Sequence, residues 1–292
     1  MNRPVRAMLP GGRLHLQHGP IDLVIEAWGE RSEVQLAHAQ AWERFQHILE
    51  TLVTELPLLR SPVGGMYPLA RGPVARRMIA ACWPHRNVFV TPMAAVAGSV
   101  ADEMLAAMLA GRTLAKAYVN DGGDIALHLA PGEHLDLGVV SNVQCPDLAA
   151  TARIRFASPV RGVATSGWRG RSQSLGIADA VTVLARTAAA ADVAATLVAN
   201  AVNVEHPAVR RLPARDVKAD SDLGDLPVTV AVGHLPKASV AQALECGCSL
   251  AHAMRRAGLV HAAYLTLQEQ VRVAVLPDAA EWVKLRAGKL ST

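Results

Sequence analysis

The stretch Val119-Asn120-Asp121-Gly122-Gly123-Asp124-Ile125 separates two short apolar runs, Ala115–Val119 and Ile125–Leu129. Asn-Asp-Gly-Gly between two strand-like runs is typical of a tight hairpin turn, because glycine adopts positive φ angles without steric cost. Paired glycines also allow backbone amides to approach a phosphate group or a flat ring closely. The residues alone favour a plain turn and leave a ligand-binding loop as the alternative.

A second candidate segment is Ala164-Thr165-Ser166-Gly167, which continues into Trp168-Arg169-Gly170-Arg171-Ser172. Arginine forks match phosphate geometry and loop amides add further donors, so the segment suits an anion. The alternative is a solvated glycine loop between strands, and the residues alone do not separate the two. A nucleophilic Ser166 is poorly supported, because the Gly-x-Ser-x-Gly elbow is absent.

The third candidate is a carboxylate and a hydroxyl group, Asp192 and Thr196, on an alanine-rich helix predicted from Thr187 to about Asn203. Residues four apart lie on the same face of a helix. Together they could hold a hard cation such as Mg²⁺, with waters or substrate phosphates completing the shell. The alternative, which the residues alone favour, is that Asp192 simply suits the early part of a helix.

Around these segments the pattern predicts strand hairpins mixed with long helices, without regular strand–helix alternation, which favours an α+β fold. Helices are predicted from Ser32 to about Leu56 with Ser32 as N-cap and Pro57 as terminator, and at Pro73–Cys82, Thr91–Leu109 and Ser239–Arg256. Strands are predicted at Arg13–Gln17, Ile21–Glu26, Leu135–Ser141, Ile154–Ala157, Ala180–Leu184, Val228–Val232, Tyr264–Leu267 and Val271–Leu276. The charged stretch Arg210–Asp225 is predicted to be a surface loop.

Composition excludes several classes of protein. With 292 residues, 51% hydrophobic and 18% charged, the chain is neither collagen-like, disordered nor a disulfide scaffold. A formal charge of +4 is too weak to argue for a nucleic-acid partner. The longest apolar stretch, about Met93 to Gly111, contains Asp102 and Glu103 and is expected to be a buried helix. No signal peptide is apparent, so we expect a cytoplasmic protein with no membrane partner.

Cysteine chemistry is a weaker hypothesis. Cys246 and Cys248 could bind a metal or be redox active, but they lie in an apolar helical pattern and no second cysteine pair would complete a zinc site. Buried structural thiols are the preferred interpretation.

The candidate segments occur in a familiar order, which identifies the chain as resembling the ApbE family of FAD:protein FMN transferases. That family's pattern runs Lys-Gly-x-x-x-Asp, Asn-x-Gly-Gly-Asp, Ala-Thr-Ser-Gly and Ala-Asp-x-x-Ala-Thr. This chain has Ala97-Gly98-Ser99-Val100-Ala101-Asp102, Asn120-Asp121-Gly122-Gly123-Asp124, Ala164-Thr165-Ser166-Gly167 and Ala191-Asp192-Val193-Ala194-Ala195-Thr196. It is still more similar to an uncharacterised cytoplasmic branch grouped with ApbE, through Pro92–Gly98, Ser166–Arg171 and Ser174–Asp179.

The resemblance implies an α+β, ApbE-like fold of two mixed β-sheets with flanking helices, formed by residues 1–292 as a single unit and clearest over 92–203. It implies that Asp192 and Thr196 bind Mg²⁺ beside the pyrophosphate of FAD or another flavin nucleotide. It also implies that two segments border this phosphate-bearing ligand; their matching residues are Asn120, Gly122, Gly123, Asp124, Thr165, Ser166 and Gly167. By their own chemistry, Arg169 and Arg171 are expected to neutralise phosphate charge.

The chain departs from the family pattern at two places. Ala97 replaces the lysine before the glycine, and Trp168–Ala180 contains neither the histidine nor the proline of the family's His-x-x-Asp-Pro-x-Thr-Gly segment. Positioned acid–base and charged groups supply much of such a reaction rate, so no catalytic residue can be assigned. Two functions stay open: a Mg²⁺-dependent transferase or hydrolase, and a non-catalytic cofactor-binding or assembly protein. A homodimer is suggested by the apolar-rich composition.

Overall fold

The computed structural model describes residues 3–140, 148–170, 172–275 and 286–287, and it confirms the α+β class. The described helices are α1 (Arg31–Phe45), α2 (Ile48–Thr54), α3 (Leu56–Leu59), α4 (Pro73–Cys82), α5 (Val96–Leu109), α6 (Ala188–Ala201), α7 (Ala214–Val217) and α8 (Lys237–Arg256). The described strands are β1 (Val5–Leu9), β2 (Arg13–His18), β3 (Ile21–Gly29), β4 (Leu114–Asp121), β5 (Asp124–Leu129), β6 (His134–Val140), β7 (Leu148–Arg155), β8 (Gly162–Ser166), β9 (Ala180–Ala185), β10 (Val209–Pro213), β11 (Pro227–Val232), β12 (Ala262–Leu267), β13 (Gln270–Val275) and β14 (Arg286–Ala287).

The strands belong to one large sheet and two smaller ones, where the resemblance implied two sheets. The pairings with a defined register are all antiparallel. By contacts the chain divides into two compact units.

The first unit comprises Met1–His134, Arg155–Ala164 and Arg186–Val193. Its strands follow the order β1-β2-β3-β4-β5-β8, and the β4–β5 register pairs Asp121 with Asp124. Alternate strand positions point to one face of a sheet, so apolar side chains at those positions form a common layer. Helices α1 and α5 cover that layer and bury residues one turn apart, and the resulting core includes Leu16, Leu23, Ile25, Ala37, Ala41, Phe45, Met104 and Met108.

The predicted helix from Ser32 to Leu56 is wrong in its extent, because the segment forms the three helices α1, α2 and α3. Ser32 is not the N-cap: α1 begins after Glu30, and the Ser32 hydroxyl donates to the Glu30 carboxylate at 2.8 Å. Pro57 does not terminate a helix but lies in the first turn of α3, where a missing backbone N–H costs nothing.

The apolar stretch after Thr91 begins with a 3-10 turn at Pro92–Ala95 and continues as α5. By length and composition alone, Pro92–Leu109 would be long enough to cross a membrane, but half of it is buried within the protein. A buried core helix satisfies the same criterion, and Val100, Met104 and Met108 are fully buried in the core.

The second unit comprises Leu135–Ile154, Thr165–Ala185 and Ala194–Thr292. It contains the antiparallel ladder β9-β12-β13, which α8 covers, together with the pair β10–β11 and the sheet β14-β7-β6. Gly247 lets α8 pack closely against Val202, since a Cβ atom on Gly247 would lie 2.3 Å from the Val202 side chain. The prediction of a surface loop at Arg210–Asp225 is wrong at its start. The residues up to Pro213 form strand β10, which pairs with β11, and α7 follows directly. Tertiary pairing here overrides local propensity.

Candidate functional site

The Asn-Asp-Gly-Gly segment forms the two-residue turn between β4 and β5. Gly122 and Gly123 have φ angles of 63° and 113°, and the side-chain oxygen of Asn120 accepts a hydrogen bond from the Gly123 amide at 2.8 Å. A Cβ atom on Gly123 would meet nothing within 4 Å, so this glycine is needed for its backbone angle. The interpretation as a hairpin turn is confirmed, and the ligand-binding role of Asn120, Gly122, Gly123 and Asp124 stays a prediction.

Sequence reasoning missed Asp121, the residue of this turn whose side chain is directed inward. Only 6% of Asp121 is exposed, and its charge acts on Asp192, on α6. The available signal was the alternation along β4, where Ala117 and Val119 are buried and Asp121 is next in that series. A carboxylate at a buried strand position is uncommon and indicates a partner or a function.

The first turns of α5 and α6 are capped reciprocally by aspartates. Asp192, on α6, accepts a hydrogen bond from the Gly98 amide at 3.0 Å and another from the Ala97 amide. Asp102, on α5, accepts hydrogen bonds from the Ala188 and Ala189 amides at 3.0 and 2.9 Å. Free amides and the helix dipole make helix N-termini favourable for carboxylates. Each aspartate therefore stabilises the start of the other's helix.

Gly98 permits this arrangement. A Cβ atom at that position would lie 2.3 Å from the carbonyl oxygen of Ala188, closer than any contact a real side chain makes. The glycine that matches the family's Lys-Gly motif therefore has a steric role in this chain, because it lets two helix backbones meet at their first turns.

Negative charge accumulates at Asp192. Burial raises the pKa of Asp192 from 3.8 to about 7; hydrogen bonding from Gly98 opposes this rise, and the charges of Asp121 and Asp102 add to it. Burial also raises the pKa of Asp102, although hydrogen bonds from the Ala189 and Ala188 amides and the positive charge of Arg77 act to lower it. The pKa of the buried Cys82 thiol is raised by burial and by Asp192. A cation placed beside Asp192 would relieve this repulsion.

Thr196 follows Asp192 by one turn of α6 and is partly exposed. Among the described residues, no group of three or more His, Cys, Asp or Glu side chains could hold a metal ion. Mg²⁺ is commonly bound by one or two carboxylates and completed by waters and substrate phosphates. The donors present fit a magnesium ion of this kind, and they do not fit an all-protein cage.

The second unit contains the other candidate residues. Thr165 and Ser166 are the last residues of β8, and the glycine-containing loop begins after them, at Gly167. The hydroxyl groups of Thr165 and Thr182 are hydrogen bonded at 2.8 Å. Gly167 is buried, and a Cβ atom on it would lie 2.4 Å from the Asp179 carbonyl oxygen. This close approach explains the glycine without any ligand.

Asp179 organises the surroundings of Arg169. Its carboxylate accepts hydrogen bonds from the Trp168 indole at 3.2 Å, from the Arg169 side chain at 3.4 Å and from the backbone amide of Gln268 at 2.7 Å. The guanidinium of Arg169 also lies 4.5 Å from the centre of the Trp168 ring. Arg169 therefore already has an anionic partner. Sequence reasoning did not assign Asp179 a role, although it ends the Ser174–Asp179 motif. Arg171 lies outside the described residues.

The structure thus assembles the candidate residues in two groups. In the first unit, the β4–β5 turn, Asp192 and the first turn of α5 come together. In the second, Thr165, Gly167 and Arg169 lie near Thr182 and Asp179. The thiols of α8 differ from expectation, because Cys248 is buried but Cys246 is exposed.

A family model described as AbpE bacteria matches residues 6–273, which confirms the resemblance. Uncharacterised relatives named UPF0280 protein are similar to this chain. The protein from Methanothermobacter thermautotrophicus is 34% identical over 136 residues, covering 46% of this chain and 51% of its own. That from Methanosphaerula palustris is 35% identical over 182 residues, covering 57% and 72%. The chain spans about half the length of the first of these curated relatives.

Two solved structures resemble the fold over most of its length. The ApbE protein from Thermotoga maritima gives a TM-score of 0.49 at 12% identity, covering 96% of this chain and 98% of that one. The flavin transferase ApbE from Vibrio cholerae gives 0.48 at 10% identity, covering 96% and 100%.

Proposed function

The chain belongs to the AbpE bacteria family, and from this premise we propose that it binds a flavin or another phosphate-bearing nucleotide together with Mg²⁺. The observation that supports the proposal is the carboxylate of Asp192, whose pKa is raised to about 7 by burial and by the neighbouring charges of Asp121 and Asp102. A cation bound beside this carboxylate would offset the repulsion from Asp121 and Asp102 and would favour its ionised form.

In this proposal Asp192 and Thr196 hold the ion. Bound Mg²⁺ would neutralise charge on the pyrophosphate of the ligand. Asp121 increases the attraction for the cation from the adjoining strand end. Asn120 fixes the turn by accepting from the Gly123 amide, and the Gly122, Gly123 and Asp124 backbone then borders the ligand.

The second group of residues offers its own contacts to a phosphate-bearing ligand. Thr165, held by its hydrogen bond to Thr182, and the adjacent Ser166 and Gly167 offer hydroxyl and amide groups to a phosphate or a ring. Arg169 and Arg171 supply positive charge. Because Arg169 is paired with Asp179, its contribution to phosphate binding is smaller than that of an unpaired arginine.

The reaction is proposed to be transfer or hydrolysis at the phosphate linkage, and non-catalytic binding or assembly is the second candidate. The second candidate is favoured by Ala97 and by Trp168–Ala180, which lacks the family's histidine and proline. Catalytic residues are therefore unassigned. That residues 1–292 act as one unit, in the cytoplasm and as a homodimer, stays a prediction.

Calorimetric titration with FAD, FMN and ADP, each with and without Mg²⁺, tests the proposal. Binding should require Mg²⁺ and fall about tenfold or more in Asp192→Asn and Thr196→Val, as expected when a ligand of the ion is lost. The carboxylate control is Asp216→Asn, on the exposed helix α7. Chromatography of the FAD mixture then separates the two candidates: FMN or AMP produced only with Mg²⁺ indicates the enzyme, whereas binding without product indicates the carrier. Failure of all three compounds to bind would refute the proposal.

A further inference from the structure

One segment of the first unit contains all of the excess positive charge of the chain. Between Glu55 and Asp102 there is no Asp, Glu or Lys, but there are five arginines: Arg60, Arg71, Arg76, Arg77 and Arg86. The rest of the chain has 24 basic and 25 acidic residues, against 29 and 25 for the whole. The positive charge is therefore local, and it does not depend on the proposed nucleotide site.

The two loops that flank α4 in this segment contact each other. The Val63 amide donates to the Val90 carbonyl at 2.9 Å, which joins the loop before α4 to the loop after it. The ring of Tyr67 stands edge-on to that of Trp83 with centroids 5.0 Å apart, and the Arg86 guanidinium lies 4.8 Å from the Trp83 centroid. The loops therefore form one continuous surface.

Large apolar side chains are exposed on this surface. Met66 and Leu69 are 87% and 88% exposed, and Tyr67, Val88 and Phe89 are each exposed by 44% or more. We call these five residues the apolar patch. Clusters of exposed apolar side chains with a polar rim are typical of interaction sites rather than of free surface.

The rim of the apolar patch is cationic. Arg71, Arg76 and Arg86 are exposed, and within the described part of the chain none of them is paired with a carboxylate. The acids that flank the segment are already engaged: Glu55 accepts hydrogen bonds from the Arg71 and Gly72 amides at 2.7 and 2.8 Å, and Asp102 accepts those of Ala188 and Ala189. Glu103, which follows Asp102, accepts hydrogen bonds from the Arg44 and Arg77 side chains at 2.9 and 3.0 Å. The positive rim is therefore available to a partner.

The composition of this surface indicates the partner. Aromatic residues, Met and Arg are enriched in protein–protein interfaces, whereas Lys, Asp and Glu are depleted, which is the composition found here. Planar arginine forks pair with carboxylates through two hydrogen bonds. A second copy would oppose arginines to arginines. Nucleobases need aromatic faces to stack on, but the most exposed members of the patch, Met66 and Leu69, are aliphatic.

We propose that the apolar patch and its arginine rim bind an acidic protein segment that also presents aromatic or aliphatic side chains. The carboxylates of the partner pair with Arg71, Arg76 and Arg86, and its apolar groups cover Met66 and Leu69.

Fluorescence anisotropy with labelled model polymers tests this. A random glutamate–tyrosine copolymer should bind about tenfold more tightly than polyglutamate of the same length, a difference of about 1.4 kcal/mol. The double variant Arg71→Gln/Arg86→Gln should lose most of the affinity for both polymers. Met66→Ser/Leu69→Ser should lose only the preference for the copolymer. The matched control is Arg210→Gln/Arg256→Gln, two exposed arginines of the second unit, which should bind like the wild type.

All substituted side chains are exposed, so the variants should fold, and circular dichroism checks this. The proposal is overturned if the copolymer does not bind, if polyglutamate binds equally well, or if the control pair weakens binding as much as the test pair. Tighter binding to phosphatidylserine vesicles would instead assign the surface to an anionic membrane. Tighter binding to an oligothymidylate would assign it to single-stranded nucleic acid, and either result also rejects an acidic protein.

Discussion

Replacing Gly98 by alanine should destabilise the protein strongly, although alanine is normally the better helix former. Inside a helix this substitution alone would stabilise by about 1 kcal/mol. Here the added Cβ would lie 2.3 Å from the Ala188 carbonyl oxygen and 2.7 Å from the Ala189 nitrogen. Both contacts are to backbone, so no side chain can turn away. The start of α5 or of α6 must move.

That movement acts on the reciprocal caps. Overpacking of this kind costs about 1–3 kcal/mol, and each hydrogen bond to a charged acceptor contributes about 1.5–3 kcal/mol. Separating the helices lengthens the bonds to Asp192 and Asp102 together. The free energy of unfolding should therefore fall by about 3 kcal/mol or more after the gain in helix propensity is subtracted.

Urea denaturation followed by circular dichroism measures this difference. Gly64→Ala is the matched control, because a Cβ at Gly64 meets nothing within 4 Å and its φ is not positive. The control should change the free energy of unfolding by less than about 1 kcal/mol. If Gly98→Ala were neutral or stabilising, the close crossing of α5 and α6 and the role given to Gly98 would both be wrong.

Three further predictions concern single residues of the candidate site. In metal-free buffer, the pKa of Asp192 in the folded protein is raised to about 7. Protonation of this carboxyl group therefore stabilises the fold fully below pH 4, and the stabilisation is lost as the pH rises to 7. Asp192→Asn should remove this fall, on the order of a few kcal/mol, when urea denaturation is repeated at pH 4 and pH 8. Asp179→Ala leaves three N–H donors without their acceptor and should lower the free energy of unfolding by about 2–4 kcal/mol. Asp216→Ala is the control. Unchanged Trp168 fluorescence would contradict the assigned indole contact. Gly123→Ala forces a side chain to a φ of 113° and should cost about 1–2 kcal/mol by urea denaturation, whereas an effect no larger than that of Gly64→Ala would mean that the turn relaxes.

The elements that sequence reasoning predicted well are those whose signal is local. The β4–β5 turn follows from two glycines and an asparagine, and α5 follows from an uninterrupted apolar period. The break at Phe45 within the predicted Ser32–Leu56 helix was missed, because the apolar period runs on through Ile48 and Leu52. The strand at Val209–Pro213 depends on a partner distant in sequence, so its own residues do not reveal it.

The candidate site was predicted less completely for a related reason. Asp192 could be selected because Thr196 follows it by one turn, a relation within a single helix. Asp121 has no such local relation: it matters because folding brings its charge close enough to act on Asp192, which no spacing of residues specifies. The pairing of Arg169 with Asp179 is also a consequence of folding. Segments therefore could be predicted, but their electrostatic partners could not.

The difference between Asp102 and Asp192 indicates which carboxylate is available to a cation. Both cap a helix, so capping does not distinguish them. At Asp102 the two amide hydrogen bonds and the charge of Arg77 all favour the ionised form. At Asp192 the amides are opposed by two negative charges, of which that of Asp121 is the larger influence. A divalent ion gains most where negative charge is least compensated, so it should bind beside Asp192. Asp102→Asn should accordingly lower stability and leave the Mg²⁺ requirement for nucleotide binding unchanged, whereas Asp192→Asn should abolish that requirement together with tight binding.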